Sequence, residues 1–241
     1  MMSQNNYTVG VQPRCYALVP AAGIGSRSGA EGPKQYVALA GRPMIAHTLS
    51  ALARVPALAA TLVVLAPDDD LFEAALPEFK GDTCWVARFG GASRAETVAN
   101  GLAELLARGA QPHDWVLVHD AARCLLRPAW VERLISACES DEVGGLLAQP
   151  LADTLKASNQ GRVAATISRA EKWAAQTPQM FRLGLLMPAL AHAGESITDE
   201  ASAVEALGHS PLLVECSIEN FKVTWPEDFA LAERLLQSRL A

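Results

Sequence analysis

A glycine-rich loop after an apolar run contains the first residues whose types and spacing could do chemistry. Residues 15–19 predict a buried first strand, and Arg27 and Lys34 lie in the segment that follows. The same segment has glycines at positions 23, 25, 29 and 32. Glycine lets backbone N–H groups approach a ligand closely, while the two cations supply positive charge. The combination is typical of a polyphosphate site.

This loop differs from two common phosphate-binding motifs. Ser28 stands where the dinucleotide fingerprint G-x-G-x-x-G needs its third glycine, and no Gly-Lys-Ser/Thr follows as in a Walker A loop. The order of a strand, then Gly-x-Gly-x-Arg27, then Pro33-Lys34-Gln is more specific than the glycines alone. A glycine-rich turn with solvent-exposed cations is the alternative interpretation.

Two later loops also bring polar groups to predicted strand ends. Asp120 follows the predicted strand 115–119, where its carboxylate could meet ligand hydroxyls or, through water, a Mg²⁺ ion. Arg123 could pair with Asp120 or with the ligand, and a purely structural pair is the alternative. The turn at Gly91 could present backbone groups to a base, or be an ordinary tight turn. His119 is predicted to be packed rather than catalytic.

The remaining candidates lie in the second half of the chain. Thr177 offers a hydroxyl group where an apolar segment ends. Arg169 and Lys222, each considered alone, are most simply interpreted as solvated surface charges. Asp199 and Glu200 fit a helix start, which the helix dipole alone explains, and a catalytic role is the alternative. No Ser/His/Asp, Cys/His or metal-ligand spacing indicates a covalent or zinc enzyme.

Composition limits the class of protein. The chain has 241 residues, half of them hydrophobic, which predicts one α/β domain over residues 15–241 after a disordered leader over 1–14. The net charge of −6 disfavours nucleic acid and anionic membrane surfaces as partners. Five scattered cysteines favour a reducing, cytoplasmic compartment. No apolar run reaches the length of a membrane span.

Strand and helix patterns alternate through the first 140 residues. They predict an α/β fold, namely a Rossmann-like three-layer αβα sandwich with a mainly parallel sheet. Within it we expect a helix from Gly41 to Arg54, an acidic-capped helix from Asp68, and a last helix whose capping box joins Thr224 and Glu227. Ligands of such sheets bind beyond the carboxyl ends of the strands, where the loops at 20, 88 and 119 begin.

A hairpin interrupts this alternation. Residues 153–156 and 162–167 flank a turn signal at 158–161, within a segment of about 150–170. A two-stranded hairpin needs another surface to bury its apolar face. We expect an arm that embraces a second subunit, and the alternative is a hairpin folded back on its own domain.

These motifs, taken in order, resemble one family. The loop resembles that of sugar-phosphate nucleotidyltransferases with a GT-A-like fold, and the whole set from about Cys15 onward closely resembles 2-C-methyl-D-erythritol 4-phosphate cytidylyltransferases. The motifs are Pro20-Ala-Ala-Gly-x-Gly-x-Arg27, Pro33-Lys34-Gln, Gly90-Gly91-x-x-Arg94, His119-Asp-Ala-Ala-Arg123, Asp153-Thr154, Thr177-Pro-Gln179, Thr198-Asp-Glu-Ala-Ser202 and Lys222-Val-Thr-x-Pro-Glu-Asp228.

The resemblance implies a reaction and a set of roles. CTP and methylerythritol phosphate would give CDP-methylerythritol and pyrophosphate, with Mg²⁺ held mainly by the CTP phosphates and Asp120 able to reach it through water. Arg27 and Lys34 would stabilise the reacting phosphoryl group, while Arg169 and Lys222 would hold the phosphate of the acceptor. The nucleotide positions are Pro20, Ala21, Ala22, Gly23, Gly25, Gly91 and Thr97. The acceptor positions are Asp120, Ala121, Arg123, Thr154, Arg169, Thr177 and Lys222.

The resemblance also makes the hairpin a dimer arm, so that Thr154 and Arg169 would serve the neighbouring subunit. Three positions depart from the family pattern: Ala92 replaces an acidic residue, Cys124 a proline, and Trp225 a small or basic residue. A cytidylyltransferase for another polyol phosphate, such as ribitol 5-phosphate, is the nearest alternative. A non-catalytic nucleotide-binding protein and an NAD-dependent oxidoreductase are more distant ones.

Overall fold

A computed structural model of the chain describes residues 12–23, 25, 29, 32–192 and 197–239. The strands are β1 (Cys15–Pro20), β2 (Ala38–Leu39), β3 (Arg42–Pro43), β4 (Leu58–Val64), β5 (Cys84–Ala87), β6 (Trp115–Val118), β7 (Gly144–Pro150), β8 (Leu155–Asn159), β9 (Arg162–Ile167), β10 (Trp173–Arg182) and β11 (Leu212–Glu215). The α-helices are α1 (Met44–Leu52), α2 (Phe72–Ala75), α3 (Arg94–Ala107), α4 (Pro128–Cys138), α5 (Leu183–His192), α6 (Glu200–Ala206) and α7 (Pro226–Ser238).

Seven strands form one mixed sheet in the order β11-β7-β10-β6-β1-β4-β5. β1 runs parallel to β4 and β6, β4 is parallel to β5, and β11 is parallel to β7. β10 lies antiparallel between β6 and β7. The prediction of a mainly parallel sheet is therefore confirmed.

Helices cover both faces of this sheet because successive side chains of each central strand point to opposite faces. In β1, Ala17 and Val19 pack in the cluster that holds α1, α2 and α4 residues. Tyr16 and Leu18 pack in the opposite cluster, with residues of α3, α5 and α6. The predicted three-layer arrangement is confirmed.

The strand β10 was not predicted from the sequence. Gln176, Thr177 and Gln179 interrupt its apolar pattern, and the Thr177–Pro178 peptide bond is cis. All three side chains are nevertheless buried because hydrogen bonds satisfy their polar atoms, as described below. Buried strands were predicted from runs of apolar residues, and β10 lacks such a run because its buried polar side chains are hydrogen-bonded instead.

Two helix starts and the capping partner of a third helix differ from the predictions, while the last helix begins near Pro226 as predicted. Residues 42–43 pair with β2 as β3, so α1 begins at Met44 rather than at Gly41. Asp69 does accept N–H bonds at the start of α2, but that helix is only four residues long. At α7 the Asp228 carboxylate accepts from the N–H groups of Thr224 and Trp225, so Glu227 is not the capping partner.

β8 and β9 form the predicted hairpin as a separate two-stranded sheet. The tight turn is at Gln160 and Gly161, which both have positive φ, because Ser158 and Asn159 still pair within β8. Every residue of β9 is exposed, which argues against a hairpin folded back on its own domain. The arm remains a proposal at this point.

Two further expectations concern the chain as a whole. Residues 1–11 of the predicted leader lie outside the described residues, whereas Arg14 contacts Asp114 through its backbone N–H at 2.8 Å and its guanidinium at 3.2 Å. Among the helices that the structure describes, none is long and apolar enough to cross a membrane.

Gly101 allows α3, which begins with Arg94, to pack closely on β1 and β4. A Cβ atom at position 101 would lie 2.5 Å from Leu18 Cδ1 and 2.9 Å from Val64 Cγ2. We expect Gly101→Ala to lower the free energy of unfolding by about 1–3 kcal/mol, because overpacking outweighs the gain in helix propensity. Urea denaturation measures this. The exposed Ala103→Ser change is the control, and equal stabilities would contradict the packing argument.

Candidate active site

A cavity of about 430 Å³ opens beyond the carboxyl ends of β1 and β6, as expected for a parallel sheet. It brings together the glycine-rich loop, the turn before α3, the loop after β6 and Lys222. Its lining residues are Pro20, Ala21, Ala22, Gly23, Gly25, Lys34, Gln35, Met44, Gly91, Ala92, Ser93, Arg94, Thr97, Asp120, Ala121, Ala122 and Lys222. Every predicted nucleotide position is among them.

The first side of the cavity is the glycine-rich loop. Gly25 has φ of +73°, and a Cβ atom there would lie 2.4 Å from Lys34 Cδ, so a side chain would strain the backbone and displace the lysine side chain. Lys34 Nζ donates to the Val223 carbonyl at 2.9 Å, and Gln35 Nε2 donates to the Ala21 carbonyl at 2.9 Å. Arg27 lies outside the described residues.

The second side is the turn that leads into α3. Gly91 N–H donates to Thr97 Oγ1 at 3.0 Å, and this hydroxyl donates to the Ser93 carbonyl at 2.9 Å. Ala92 N–H donates to Glu96 Oε2 at 2.8 Å. A carboxylate therefore does stand beside this turn, although it comes from position 96 rather than 92.

Asp120 is the centre of charge in the cavity. Its Oδ1 accepts from Arg94 Nε at 2.8 Å, and its Oδ2 pairs with Lys222 Nζ at 2.8 Å. Arg123 Nε lies 4.0 Å from the same Oδ2. Burial opposes ionisation of this carboxyl, but Arg94 and Lys222 outweigh that effect and hold its pKa well below the usual range. Asp120 is therefore an anion that can accept hydrogen bonds and cannot donate them.

The partner that fixes Arg94 was missed from the sequence. Glu200 is 1% exposed, and its two carboxylate oxygens accept from Arg94 Nη1 at 2.6 Å and Nη2 at 3.1 Å. The earlier assignment of Asp199 and Glu200 to the helix dipole is thus incomplete. Asp199 caps α6 through Ser202, whereas Glu200 holds a guanidinium. The sequence shows Arg94 and Glu200 as opposite charges in two separate motifs. Neither motif indicates that the two side chains contact each other.

A buried hydrogen-bond chain supports the loop after β6. Asp120 N–H donates to Thr177 Oγ1 at 3.0 Å, and Thr177 Oγ1 lies 3.1 Å from His119 Nδ1. His119 Nε2 lies 3.3 Å from the Arg123 carbonyl, an acceptor, which favours the tautomer with the proton on Nε2. In that tautomer the Thr177 hydroxyl donates to Nδ1. Burial lowers the pKa of His119 to about 4, so the ring is packed and neutral as predicted.

Arg123 and Thr177 lie behind the cavity rather than on its lining. Arg123 donates to the Asn220 carbonyl at 2.7 Å and to the Ala175 carbonyl at 3.3 Å. Asn220 Nδ2 in turn donates to Gln176 Oε1 and to the Thr177 carbonyl, both at 2.9 Å. These bonds join β10 to the segment that carries Lys222.

The predicted hairpin positions lie apart from the cavity, whereas Arg123 and Thr177 lie directly behind it. Thr154 and Arg169 are exposed and do not line it. The Arg169 guanidinium contacts the Ala152 carbonyl at the base of the hairpin.

The described residues contain no group of three His, Cys, Asp or Glu side chains placed to hold a metal ion. Asp120 is the carboxylate on the cavity lining, and both of its oxygens already accept from cations. These residues fit a hydrated ion delivered by a polyphosphate better than a site built from protein ligands.

A glycine-rich loop and a cluster of cations around the buried Asp120 carboxylate, at the carboxyl ends of parallel strands, fit the nucleotidyltransferase class that the sequence motifs indicate. The family model described as "IspD: 2-C-methyl-D-erythritol 4-phosphate cytidylyltransferase" matches residues 15–238. The chain therefore belongs to this family.

Individual relatives agree with the assignment. The chain is 61% identical to the bifunctional enzyme IspD/IspF of Albidiferax ferrireducens over 94% of this chain, but it spans only 54% of that relative. It is 56% identical to the 2-C-methyl-D-erythritol 4-phosphate cytidylyltransferase of Laribacter hongkongensis, covering 92% of this chain and 96% of the relative. A crystal structure of 4-diphosphocytidyl-2C-methyl-D-erythritol synthase superposes with a TM-score of 0.83 at 43% identity, covering 94% of this chain and 99% of the other.

The buried His119 should make stability depend on pH. Its pKa is lowered in the fold, so the unfolded chain binds more protons below pH 6.5, and protonation favours unfolding as the pH falls towards 4. We expect a loss of about 2 kcal/mol between pH 7 and pH 5 from this group. Urea denaturation at both pH values measures the loss. In a His119→Gln variant the difference should shrink by most of that amount, and an unchanged difference would contradict the assignment.

Proposed function

We propose that the protein transfers the CMP group of CTP to 2-C-methyl-D-erythritol 4-phosphate and releases pyrophosphate. The observation that carries this proposal is one cavity in which the glycine loop and Lys34 face the Asp120–Lys222 pair. A nucleotide and a phosphorylated polyol can then be held side by side. Membership of the family supports the choice of both substrates.

The loop side suits the nucleotide. Backbone groups of residues 21–23 and the turn at Gly91 and Thr97 border a space for the base and ribose, and Lys34 brings positive charge to the phosphates. Arg27, in the same loop of the sequence, would act with Lys34 on the phosphoryl group and the departing pyrophosphate. Fixed cations placed where negative charge develops lower the barrier to reaction.

The Asp120 side suits the acceptor. The Asp120 anion can accept from hydroxyl groups of the polyol, and Lys222 can bind its phosphate. Thr177 lies behind this space and supports Asp120 by accepting from its backbone N–H at 3.0 Å. Ala121 borders this space, and Arg123 acts from behind through the Asn220 carbonyl.

The reaction itself is a substitution at phosphorus. An oxygen of the acceptor phosphate forms a bond to the α-phosphorus of CTP as the bond to the bridging β-phosphate oxygen breaks, and its electrons leave with pyrophosphate. The attacking oxygen is already anionic, so no general base is required. The neutral, buried His119 is consistent with a mechanism of positioning and charge stabilisation.

A divalent cation, Mg²⁺ in our proposal, would enter with the CTP phosphates and offset their charge. Asp120 is the residue that would contact its hydration shell. We also propose a cytoplasmic enzyme, because all five cysteines are free thiols and four of them are buried.

We propose further that the protein is a homodimer whose β8–β9 arm completes the partner's site. The exposed β9, with Val163 66% and Ile167 43% exposed, has an apolar surface that a second subunit would cover. In this arrangement Thr154 and Arg169 reach the acceptor in the neighbouring cavity. Arg169 would there hold the acceptor phosphate together with Lys222.

The activity is tested by pyrophosphate release from CTP and Mg²⁺ with purified protein. We expect turnover with 2-C-methyl-D-erythritol 4-phosphate and about a hundredfold lower kcat/KM with ribitol 5-phosphate, the order of discrimination typical of close analogues that differ by a methyl or hydroxyl group. Turnover with ribitol 5-phosphate alone would keep the mechanism and refute the proposed acceptor. A folded protein that binds CTP without turnover of either would refute the function.

The shared site is tested by mixing two variants. Lys34→Ala and Arg169→Ala should each reduce kcat by about 10²-fold, by analogy with lost electrostatic stabilisers. If Arg169 serves the partner's cavity, a mixed dimer contains one cavity with both residues intact. Co-refolded variants should then recover about a quarter of wild-type activity by statistical pairing.

Light scattering of each variant and of the mixture checks that dimers form. An active monomer, or a mixture no more active than its parts, would show that Arg169 does not act across subunits. The control mixture combines Lys34→Ala with Lys34→Met, where no intact cavity can form.

A further inference from the structure

A second and larger cavity, of about 810 Å³, lies on the other side of the loop after β6. It is bordered by α1, α4 and α7, and none of its lining residues was assigned a role above. They are Ala40, Arg42, His47, Ser50, Arg54, Cys124, Leu126, Arg127, Pro128, Ala129, Glu132, Leu236 and Arg239.

Its rim is positively charged within a protein of net charge −6. Four arginines line it against one glutamate. Arg127 and Arg239 both donate to the same oxygen of Glu219, at 2.8 Å each, so one carboxylate serves two guanidinium groups. Among the described residues, Arg54, which lies just beyond the end of α1, donates only to the Ser50 carbonyl, at 3.1 Å.

These guanidinium groups have unused donors. Each carries five N–H groups, and the Nε of Arg239 is buried with no hydrogen-bond partner among the described residues. A buried donor without an acceptor is unfavourable, so an anion that realigns Arg239 would gain energy. The planar fork of arginine matches a phosphate group well.

The floor of the cavity is apolar. Cys124, Leu126 and Leu236 are nearly completely buried, whereas Arg42, Arg54 and Arg127 are exposed at the rim. Cys124, one of the departures from the family pattern, packs in the apolar cluster beneath α7. A positively charged rim above an apolar floor favours a ligand that has both an anionic group and an apolar part.

We propose that this second cavity is a binding site for a small organic phosphate, whose phosphate group pairs with the arginine rim and whose apolar body rests on the floor formed by Cys124, Leu126 and Leu236. Arg54 and Arg127 contact the phosphate directly. Arg239 turns to bring its Nε to the phosphate while its Nη2 keeps Glu219, and Arg42 completes the rim beside Glu78.

Calorimetric titration with phenylphosphonate and with inorganic phosphate tests the proposal. We expect phenylphosphonate to bind about tenfold more tightly, because its ring covers apolar surface. Arg54→Ala should weaken its binding about tenfold, since a charge-assisted hydrogen bond is lost. Arg234→Ala, an exposed arginine of α7 outside the cavity, is the matched control and should bind normally.

Two further variants separate the possible outcomes. Ala129→Trp fills the cavity without removing an arginine, and it should abolish the preference for phenylphosphonate. Lys222→Met changes the catalytic cavity and should leave the binding intact. Loss of binding in Lys222→Met, equal affinity for the two anions, or identical behaviour of Arg54→Ala and Arg234→Ala would each overturn the proposal.

Discussion

The ionised carboxylate of Asp120 is the constraint on which the cavity depends. A buried anion is unfavourable without compensation, and here Arg94, Lys222 and Arg123 supply it. These cations come from the start of α3, the segment before α7 and the loop after β6. Because all three cations must reach the Asp120 carboxylate, this one group fixes the relative positions of the three chain segments that carry them. In the proposed function the same group would accept hydrogen bonds from the acceptor.

Buried amides extend this constraint to the antiparallel strand. Gln179 donates to Asp199 and accepts from Ala201 N–H at 2.7 Å, which ties β10 to the start of α6. Asn220 ties the same strand to the segment before α7. α6 in turn presents Glu200 to Arg94. Hydrogen bonds behind the cavity thus connect β10 and α6 to the charged residues around Asp120. Because the polar groups in this network are paired, it favours a single arrangement of these elements.

Much of the parallel half of the fold could be predicted from the sequence, because β1, β4 and β6 are apolar runs and amphipathic helices follow them. The glycine loop and Asp120 could be placed at one sheet edge by the same reasoning. β10 could not, since its buried residues are polar. The pairings of Arg94 with Glu200 and of Asp120 with Lys222 join positions about a hundred residues apart. Local sequence patterns do not indicate which distant residues come into contact. Lys222 was placed near Asp120 only by the resemblance to the family, because its spacing along the chain provided no such indication.

The bond from Lys34 to the Val223 carbonyl spans 189 residues of sequence. A ribosome makes the glycine loop early and the segment around Lys222 and Val223 late, so the emerging polypeptide has Lys34 long before it has the carbonyl group that Lys34 contacts. Until that late segment arrives, Asp120 also lacks one of its cations. An incomplete translation product would therefore have no assembled cavity, and the onset of activity would be tied to the near completion of synthesis.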